Sequence, residues 1–191
     1  MKTTPAKATR NTGTNAITLL TQDHKAVQKI FKEFDKLKEN GGSDEEKSEL
    51  VIRACLELTV HAQIEEEIFY PAVRAGIDDE DLMDEADVEH ASAKDLIAQL
   101  ESMEPGDDLY DARFTVLGEY INHHVQEEQD EMFPKAKKAK LDLTALGEEM
   151  WLRKQELRAE LGLEDAAESD DDNSESEPRT ARVPRQAGGA R

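Results

Sequence analysis

The feature that most constrains the fold of this chain is a histidine and glutamate pattern that occurs twice, 63 residues apart. His61 is followed four residues later by Glu65, and a proline comes six residues after that glutamate. His124 and Glu128 repeat this spacing, again with a proline six residues on. Such self-similarity predicts two equivalent structural halves.

Each half has one further histidine upstream, directly preceded by an acidic residue: Asp23-His24 and Glu89-His90. Apolar residues around all four histidines recur in alternating steps of three and four, the spacing of a buried helical face. The repeated glutamates fall on the same faces. Measured from the expected helix ends, the four histidines lie at similar depths, so we expect them in one layer of a helical bundle.

Caps and helix breakers divide the chain into five expected helices. They cover about 16–39, 43–75, 78–103, 107 to beyond Pro134, and 144–161. Ser43 and Glu46 form the signature of a capping box at the start of the second helix, and Pro134 is expected to kink or end the fourth. Short loops between four long helices predict an all-α, up-down-up-down four-helix bundle with an additional C-terminal helix.

The segments that flank this bundle have compositions typical of disorder. Residues 1–14 contain three basic residues and no acidic one, which predicts a flexible basic arm. Residues 164–191 are first acidic and then arginine-rich, which predicts a disordered tail. The folded domain is therefore assigned to residues 15–163, with its core at 16–140 and the extra helix at 144–161.

Charge and hydropathy narrow the classes of function. The chain has 44 acidic and 24 basic residues and a formal net charge of −20, which argues against binding to a nucleic-acid backbone. It has no stretch of about 18 uninterrupted apolar residues and no apolar start of the kind found in secretory signals. We therefore expect a cytoplasmic protein that associates with neither nucleic acid nor membrane.

Buried histidines and glutamates need a physical explanation. An unpaired carboxylate costs several kcal/mol or more to bury, and a bound cation removes that cost. Histidine and glutamate four residues apart lie on one helical face, so each helix can offer a nitrogen and an oxygen to the same site. Mixed nitrogen and oxygen ligands from four helices suit two iron or manganese ions better than a closed zinc site. The predicted metal ligands are His24, His61, Glu65, His90, His124 and Glu128.

Residues beside these six are given other roles. His123, one position from His124, is expected at the surface or behind the ligands. The charged neighbours assigned to solvated helix faces are Asp23, Glu66, Glu67, Asp87, Glu89 and Glu127. Two alternatives stay open: Asp23, Asp87 or Glu89 could orient an imidazole through its second nitrogen, and Glu66 or Glu127 could turn inward as an oxygen ligand. Both Tyr70 and Tyr120 are interpreted as packing residues.

Taken together, these motifs resemble the hemerythrin-like, or HHE cation-binding, domains. The shared pattern covers about residues 16–140: Asp-His near the start, His-x-x-x-Glu-Glu ending in Phe-Tyr-Pro, a lone Glu-His, and His-x-x-x-Glu ending in Phe-Pro. The resemblance implies a non-haem di-iron centre, with manganese the less favoured metal. It implies terminal ligands at His24, His61, His90 and His124, and bridging carboxylates at Glu65 and Glu128.

The chain departs from the oxygen-carrying members of that family, which place two histidines four apart on the third helix. Here Ala86 and Lys94 flank His90 at that distance, and neither side chain can replace an imidazole. Reversible oxygen carriage is therefore disfavoured. We expect a metal centre that binds or senses O2, nitric oxide, peroxide or iron itself.

Two alternatives from other classes stay open at this point. An open di-iron site could turn over hydrogen peroxide as a catalase or peroxidase. The domain could instead be an interaction module, in which the metal only stabilises the fold and the extra helix and C-terminal tail dock a protein partner.

Overall fold

The computed structural model describes residues 15–163. The arm predicted over 1–14 and the tail predicted over 164–191 therefore lie outside the described residues. Within residues 15–163 the secondary structure is helical, and no described helix is long and apolar enough to cross a membrane.

Four helical runs form the bundle, and a fifth helix packs against it. The elements are α1 (Ala16–Asn40), α2 (Asp44–Ile64), the π-helical turn π1 (Glu65–Phe69), α3 (Tyr70–Gly76), α4 (Glu80–Glu101), α5 (Tyr110–Glu127), the π-helical turn π2 (Glu128–Met132), α6 (Phe133–Lys138) and α7 (Leu143–Glu160). Helix α2 continues through π1 into α3, and α5 continues through π2 into α6. The predicted all-α bundle with an additional C-terminal helix is confirmed.

The two π-helical turns are the main difference from the predicted helices. In each, a backbone N–H bonds to the carbonyl five residues back: Tyr70 to Glu65, and Phe133 to Glu128. A proline lies two residues after the end of each turn, and proline lacks an N–H and crowds the preceding turn of a helix. The helix accommodates it by widening before the proline, so the fourth run does not end at Pro134 but continues to Lys138.

The start of α2 agrees with the prediction, because the predicted side-chain cap is present there. The Ser43 hydroxyl accepts from the Glu46 N–H, and the Glu46 carboxylate accepts from the Ser43 N–H, which is the predicted capping box. Helix α5 begins three residues later than expected, after Leu109, which has φ 73° and provides no side-chain cap. The extra helix begins one residue earlier than predicted, at Leu143.

Two apolar clusters fill the bundle, one on each side of a polar layer. Leu20, Ile64 and Met83 belong to one cluster, whereas Phe34 and Phe114 belong to the other. On every bundle helix the change from one cluster to the other falls at the predicted ligands. Helix α7 contributes buried side chains to the first cluster alone. The polar layer therefore crosses the whole bundle at one depth.

Candidate metal centre

The polar layer consists of the six residues that the sequence singled out. Each has at most 8% of its surface exposed: His24, His61, Glu65, His90, His124 and Glu128. Their assignment as metal ligands stays a prediction, and the contacts among them decide what the layer can hold.

The histidines form two facing pairs. In the first pair, His24 Nε2 lies 3.1 Å from His61 Nε2. In the second pair, His90 Nε2 lies 3.1 Å from His124 Nε2. All four Nε2 atoms therefore point into the layer.

Each buried glutamate spans both pairs. The Glu65 Oε2 atom lies 3.2 Å from His61 Nε2 and 3.5 Å from His90 Nε2. The Glu128 Oε2 atom lies 3.1 Å from His24 Nε2 and 3.9 Å from His124 Nε2. Each carboxylate is thus placed to offer an oxygen to a metal ion at either histidine pair.

Three buried carboxylate oxygens make no hydrogen bond within residues 15–163: both oxygens of Glu65 and Oε2 of Glu128. Imidazole nitrogens lie between 3.1 and 3.9 Å from Oε2 of each glutamate without forming a hydrogen bond to it. A buried carboxylate without partners is costly, and a cation among these oxygens and nitrogens removes that cost. The donor set therefore fits a metal.

Acidic residues on neighbouring helices hold the outer nitrogens of two histidines. Asp23 Oδ2 lies 3.4 Å from His61 Nδ1, and Glu89 Oε2 lies 2.7 Å from His124 Nδ1. In both halves, the acid that precedes one histidine thus contacts the other histidine of the same pair.

The remaining two outer nitrogens meet residues from the opposite half. Glu66 Oε1 lies 2.9 Å from His90 Nδ1, and the Gln129 amide lies 3.1 Å from His24 Nδ1. Each of these residues directly follows a buried glutamate. The carboxylates that accept from Nδ1 of His61, His90 and His124 fix those rings and leave their Nε2 lone pairs for a metal. At His24 the contact is made by the amide nitrogen of Gln129, which orients the ring as a donor to Nδ1.

The assignment of Asp23, Glu66 and Glu89 to solvated helix faces was wrong. For Asp23 and Glu89, the structure shows the alternative in which an acid holds the second nitrogen of an imidazole. A residue next to a buried one is rotated by only about 100° on a helix, which places it at the seam with the neighbouring helix. The surface interpretation holds for Asp87, which pairs with Arg74 at 2.8 Å. His123 also lies at the surface, with a side chain 65% exposed and Nε2 3.3 Å from Glu127.

Tyr70 is the functional residue that sequence reasoning missed. Its hydroxyl donates to Glu128 Oε1 at 3.1 Å and lies 3.0 Å from His90 Nε2 and 3.3 Å from His124 Nε2. The packing interpretation is correct for the ring, which belongs to the first apolar cluster, but it missed the hydroxyl, which enters the polar layer because Tyr70 follows the widened turn π1. A comparison of Phe-Tyr-Pro with Met-Phe-Pro in the two repeats would have shown that one half alone carries this hydroxyl.

Burial sets the charge of the imidazoles. It lowers the pKa of His61, and together with the charge of His124 it lowers the pKa of His90 to about 4. Burial alone would also lower the pKa of His124, but the hydrogen bond that its Nδ1–H donates to Glu89 and the negative charges of nearby glutamates together outweigh burial and raise that pKa above its usual value. His61 and His90 are therefore neutral near pH 7 and have lone pairs to offer.

The pKa values of the two buried glutamates are also shifted in opposite directions. Burial and the nearby Glu128 carboxylate raise the pKa of Glu65 well above its usual value. Burial acts on Glu128 too, but contact with His24 and the charge of His124 outweigh it and lower its pKa. Burial, followed by the two carboxylates, raises the pKa of Tyr70. Without a metal, Tyr70 is therefore a neutral donor to an ionised Glu128.

A cavity of about 250 Å³ adjoins both histidine pairs. Its apolar lining comes from the second core cluster: Val27, Leu58, Ala93, Ile97, Ile121 and Val125. Lys94, exposed at the edge of this cavity, bonds to Glu66 at 2.6 Å. The layer is thus reached through a space that suits a small, weakly polar ligand.

Comparisons with known proteins agree with this arrangement. Residues 15–136 match the family described as Hemerythrin HHE cation binding domain. The fold is similar to the crystal structure of a hemerythrin HHE cation binding domain-containing protein from Mycobacterium kansasii, with a TM-score of 0.66, 23% identity, and coverage of 78% of this chain and 91% of that one.

A second similar protein is much longer than the region that it shares with this chain. The chain is 28% identical over 116 residues to a protein of Nostoc sp. named DNA nickase. The match covers 60% of this chain but 31% of that protein, so the chain spans about a third of its length.

Proposed function

Since the chain belongs to the family of hemerythrin HHE cation-binding domains, we propose that its polar layer is a non-haem di-iron centre. In this proposal the centre binds or senses a small ligand such as O2, nitric oxide or peroxide. The nicking activity of the Nostoc relative is not extended to this chain, because the match covers 31% of that protein and this chain has a net charge of −20.

The observation that carries the proposal is the set of buried carboxylate oxygens without hydrogen bonds, surrounded by four inward-facing imidazole nitrogens. One ion would be held by the first pair and the other by the second pair, with Glu65 and Glu128 shared between them. Bound iron would supply redox electrons and open coordination positions.

The ligand types favour iron or manganese over zinc. Nitrogen and carboxylate oxygen donors on four helices are typical of di-iron and di-manganese proteins, whereas structural zinc sites often use thiolates. The single cysteine, Cys55, is buried in the second apolar cluster, and burial raises its pKa to about 12. Zinc is therefore disfavoured. Iron, which the resemblance to the family implies, is the proposed metal, and manganese is the second choice.

Tyr70 makes the two metal positions unequal. The chain lacks a fifth interior histidine, and the amine of Lys94 is bonded to Glu66. The Tyr70 hydroxyl is instead the extra oxygen beside the second pair. We propose that Tyr70 is a further ligand there, with its proton lost when the metal binds.

The chain's own residues also control access. The apolar walls of the cavity disfavour charged solutes and leave room for small neutral ligands such as O2, nitric oxide or hydrogen peroxide.

The test begins with the full chain, reconstituted with ferrous iron in the absence of oxygen. We expect about two irons per chain and a change in the absorption spectrum on exposure to air, nitric oxide or peroxide. His61→Ala should lose iron, whereas His123→Ala is the matched control and should retain it, because His123 is exposed.

Three outcomes would change the proposal. Sustained O2 evolution from peroxide, abolished in His61→Ala, would assign the centre to a catalase-type enzyme. Equal iron loss in His61→Ala and His123→Ala would remove the buried layer as the site. Failure of the chain to hold iron, manganese or zinc would leave a helical interaction module.

A further inference from the structure

Helix α7 lies beyond the region matched by the family, which ends at residue 136, yet it reaches the metal layer through one side chain. The Lys154 ammonium donates to Asp23 Oδ1, and the other oxygen of Asp23 contacts His61 Nδ1 at 3.4 Å. The side chains of Lys154 and Asp23 are only 14% and 13% exposed. A continuous contact therefore runs from α7 to a predicted ligand.

We propose that Lys154 is a positioning residue for His61, and that α7 thereby sets the metal affinity of the first histidine pair. This inference rests on the proposed function, because it assigns a role toward the metal that the layer would hold.

The physical reason is that a carboxylate between two packed helices can turn either oxygen toward its neighbours. Asp23 has two oxygens and can rotate, and the ammonium on Oδ1 keeps Oδ2 directed at His61 Nδ1. The ammonium also balances the charge of Asp23, which would otherwise be partly buried beside a neutral ring. Partners behind metal ligands typically contribute 10- to 100-fold to metal affinity.

A lysine also lies behind a histidine of the second pair, but it has a different origin. Glu66, which holds His90, is also bonded to a lysine, but Lys94 lies on α4, one turn from His90 itself. That lysine is present whenever the bundle is formed. Asp23 receives its lysine from a separate helix, so its contact with His61 depends on the docking of α7.

Helix α7 also offers a matched control. Arg153 bonds to Glu67 at 2.7 Å, one position from Lys154 in the sequence. Glu67 contacts no imidazole in the described region, so loss of this ion pair weakens the docking of α7 without releasing Asp23. Variants at both positions separate positioning from simple attachment.

The experiment measures the affinity of the metal-free full chain for cobalt(II), followed by visible absorption, and the midpoint of thermal unfolding. Lys154→Met should weaken one of the two cobalt positions by about tenfold, whereas Arg153→Met should leave both affinities unchanged. Lys154→Arg should restore the affinity. Asp23→Asn combined with Lys154→Met should be no weaker than Asp23→Asn alone, since both changes break the same link.

Other results would overturn the inference. If Lys154→Met and Arg153→Met change cobalt affinity and unfolding midpoint equally, Lys154 only attaches α7. Additive losses from Asp23→Asn and Lys154→Met would show that Lys154 does not act through Asp23. A wild-type chain that binds no cobalt, iron or manganese would overturn the proposed function, and this inference with it.

Discussion

The two halves of the metal layer share a backbone but differ in chemistry at one equivalent position. In each half a glutamate begins a π-helical turn, an aromatic residue follows the turn, and a proline comes next. The aromatic residue is Phe133 in the second half, and its ring stacks parallel on His24 with centroids 5.9 Å apart. In the first half it is Tyr70, whose hydroxyl lies within 3.3 Å of His90, His124 and Glu128.

This difference shows that the repeat builds a symmetric scaffold whose two histidine pairs are not equivalent. Each aromatic residue contacts the pair of the opposite half. One pair therefore receives an oxygen, and the other receives an apolar ring. The residues behind the ligands differ as well, since His90 is held by the charged Glu66 and His24 by the neutral Gln129.

Removal of a shared carboxylate should have the largest effect, because it breaks both halves at once. Glu65 lies near a histidine of each pair, so we expect Glu65→Ala to lose most of the bound iron, with Glu65→Gln intermediate. Iron per chain after gel filtration measures this. Glu67→Ala is the control, since Glu67 is paired with Arg153 outside the layer. Full retention of iron in Glu65→Ala would contradict the shared role.

Exchange of the two aromatic residues tests the difference directly. Tyr70→Phe should make the halves alike and abolish the visible absorption that a phenolate gives on ferric iron. It should leave the iron count near that of the wild type. Phe133→Tyr should bury a hydroxyl beside His24 and destabilise the metal-free protein by about 1–3 kcal/mol, as measured by chemical denaturation. A visible spectrum unchanged in Tyr70→Phe would refute ligation by Tyr70.

The pH dependence should differ within the second pair. In the metal-free protein, His90 should stay neutral down to about pH 4, whereas His124 should protonate at a higher pH than an ordinary histidine. Histidine ¹⁵N NMR follows both titrations. A protonated imidazole cannot bind metal, so metal affinity should fall as the pH decreases through the raised pKa of His124.

Glu89→Gln sharpens this test, because it removes the hydrogen bond that raises the pKa of His124. The fall in metal affinity should move to lower pH in this variant, while affinity at high pH decreases about tenfold. A pH profile identical to that of the wild type would mean that Glu89 does not set the protonation of His124.

The smallest effects are expected where the corresponding helices of the two halves begin. Helix α2 has a capping box, so Ser43→Ala should destabilise the protein by about 1 kcal/mol. Helix α5 starts after Leu109, which is exposed and left-handed, so Leu109→Gly should stabilise the protein by about 0.5–1 kcal/mol. Urea denaturation measures the free energy of unfolding of both variants. If both substitutions stabilise the protein, or both destabilise it, this account of the helix starts is contradicted.

The sequence was sufficient for the bundle and for which residues lie in the layer. Periodicity places a residue inside or outside a helix, and the spacing of His61 and Glu65 matched that of His124 and Glu128. The capping box at Ser43 fixed the start of α2. These features depend on local pattern, and the repeat provided an internal check.

The rest depended on details that periodicity does not contain. A π-helical turn shifts the helical register by one residue, so the inward hydroxyl of Tyr70 was hidden from a count in steps of three and four. Asp23 and Glu89 were assigned to solvent because periodicity within one helix does not reveal contacts with a neighbouring helix. The link from Lys154 spans 131 residues, and pairing over such a distance follows from the packed fold alone.

The most direct test of two unequal metal positions is a crystal structure of the iron-loaded chain with anomalous scattering measured at the iron edge. This account predicts two anomalous peaks in the polar layer, one beside His24 and His61 and the other beside His90, His124 and the Tyr70 oxygen. A single peak, or two peaks with Tyr70 directed away from both, would contradict it.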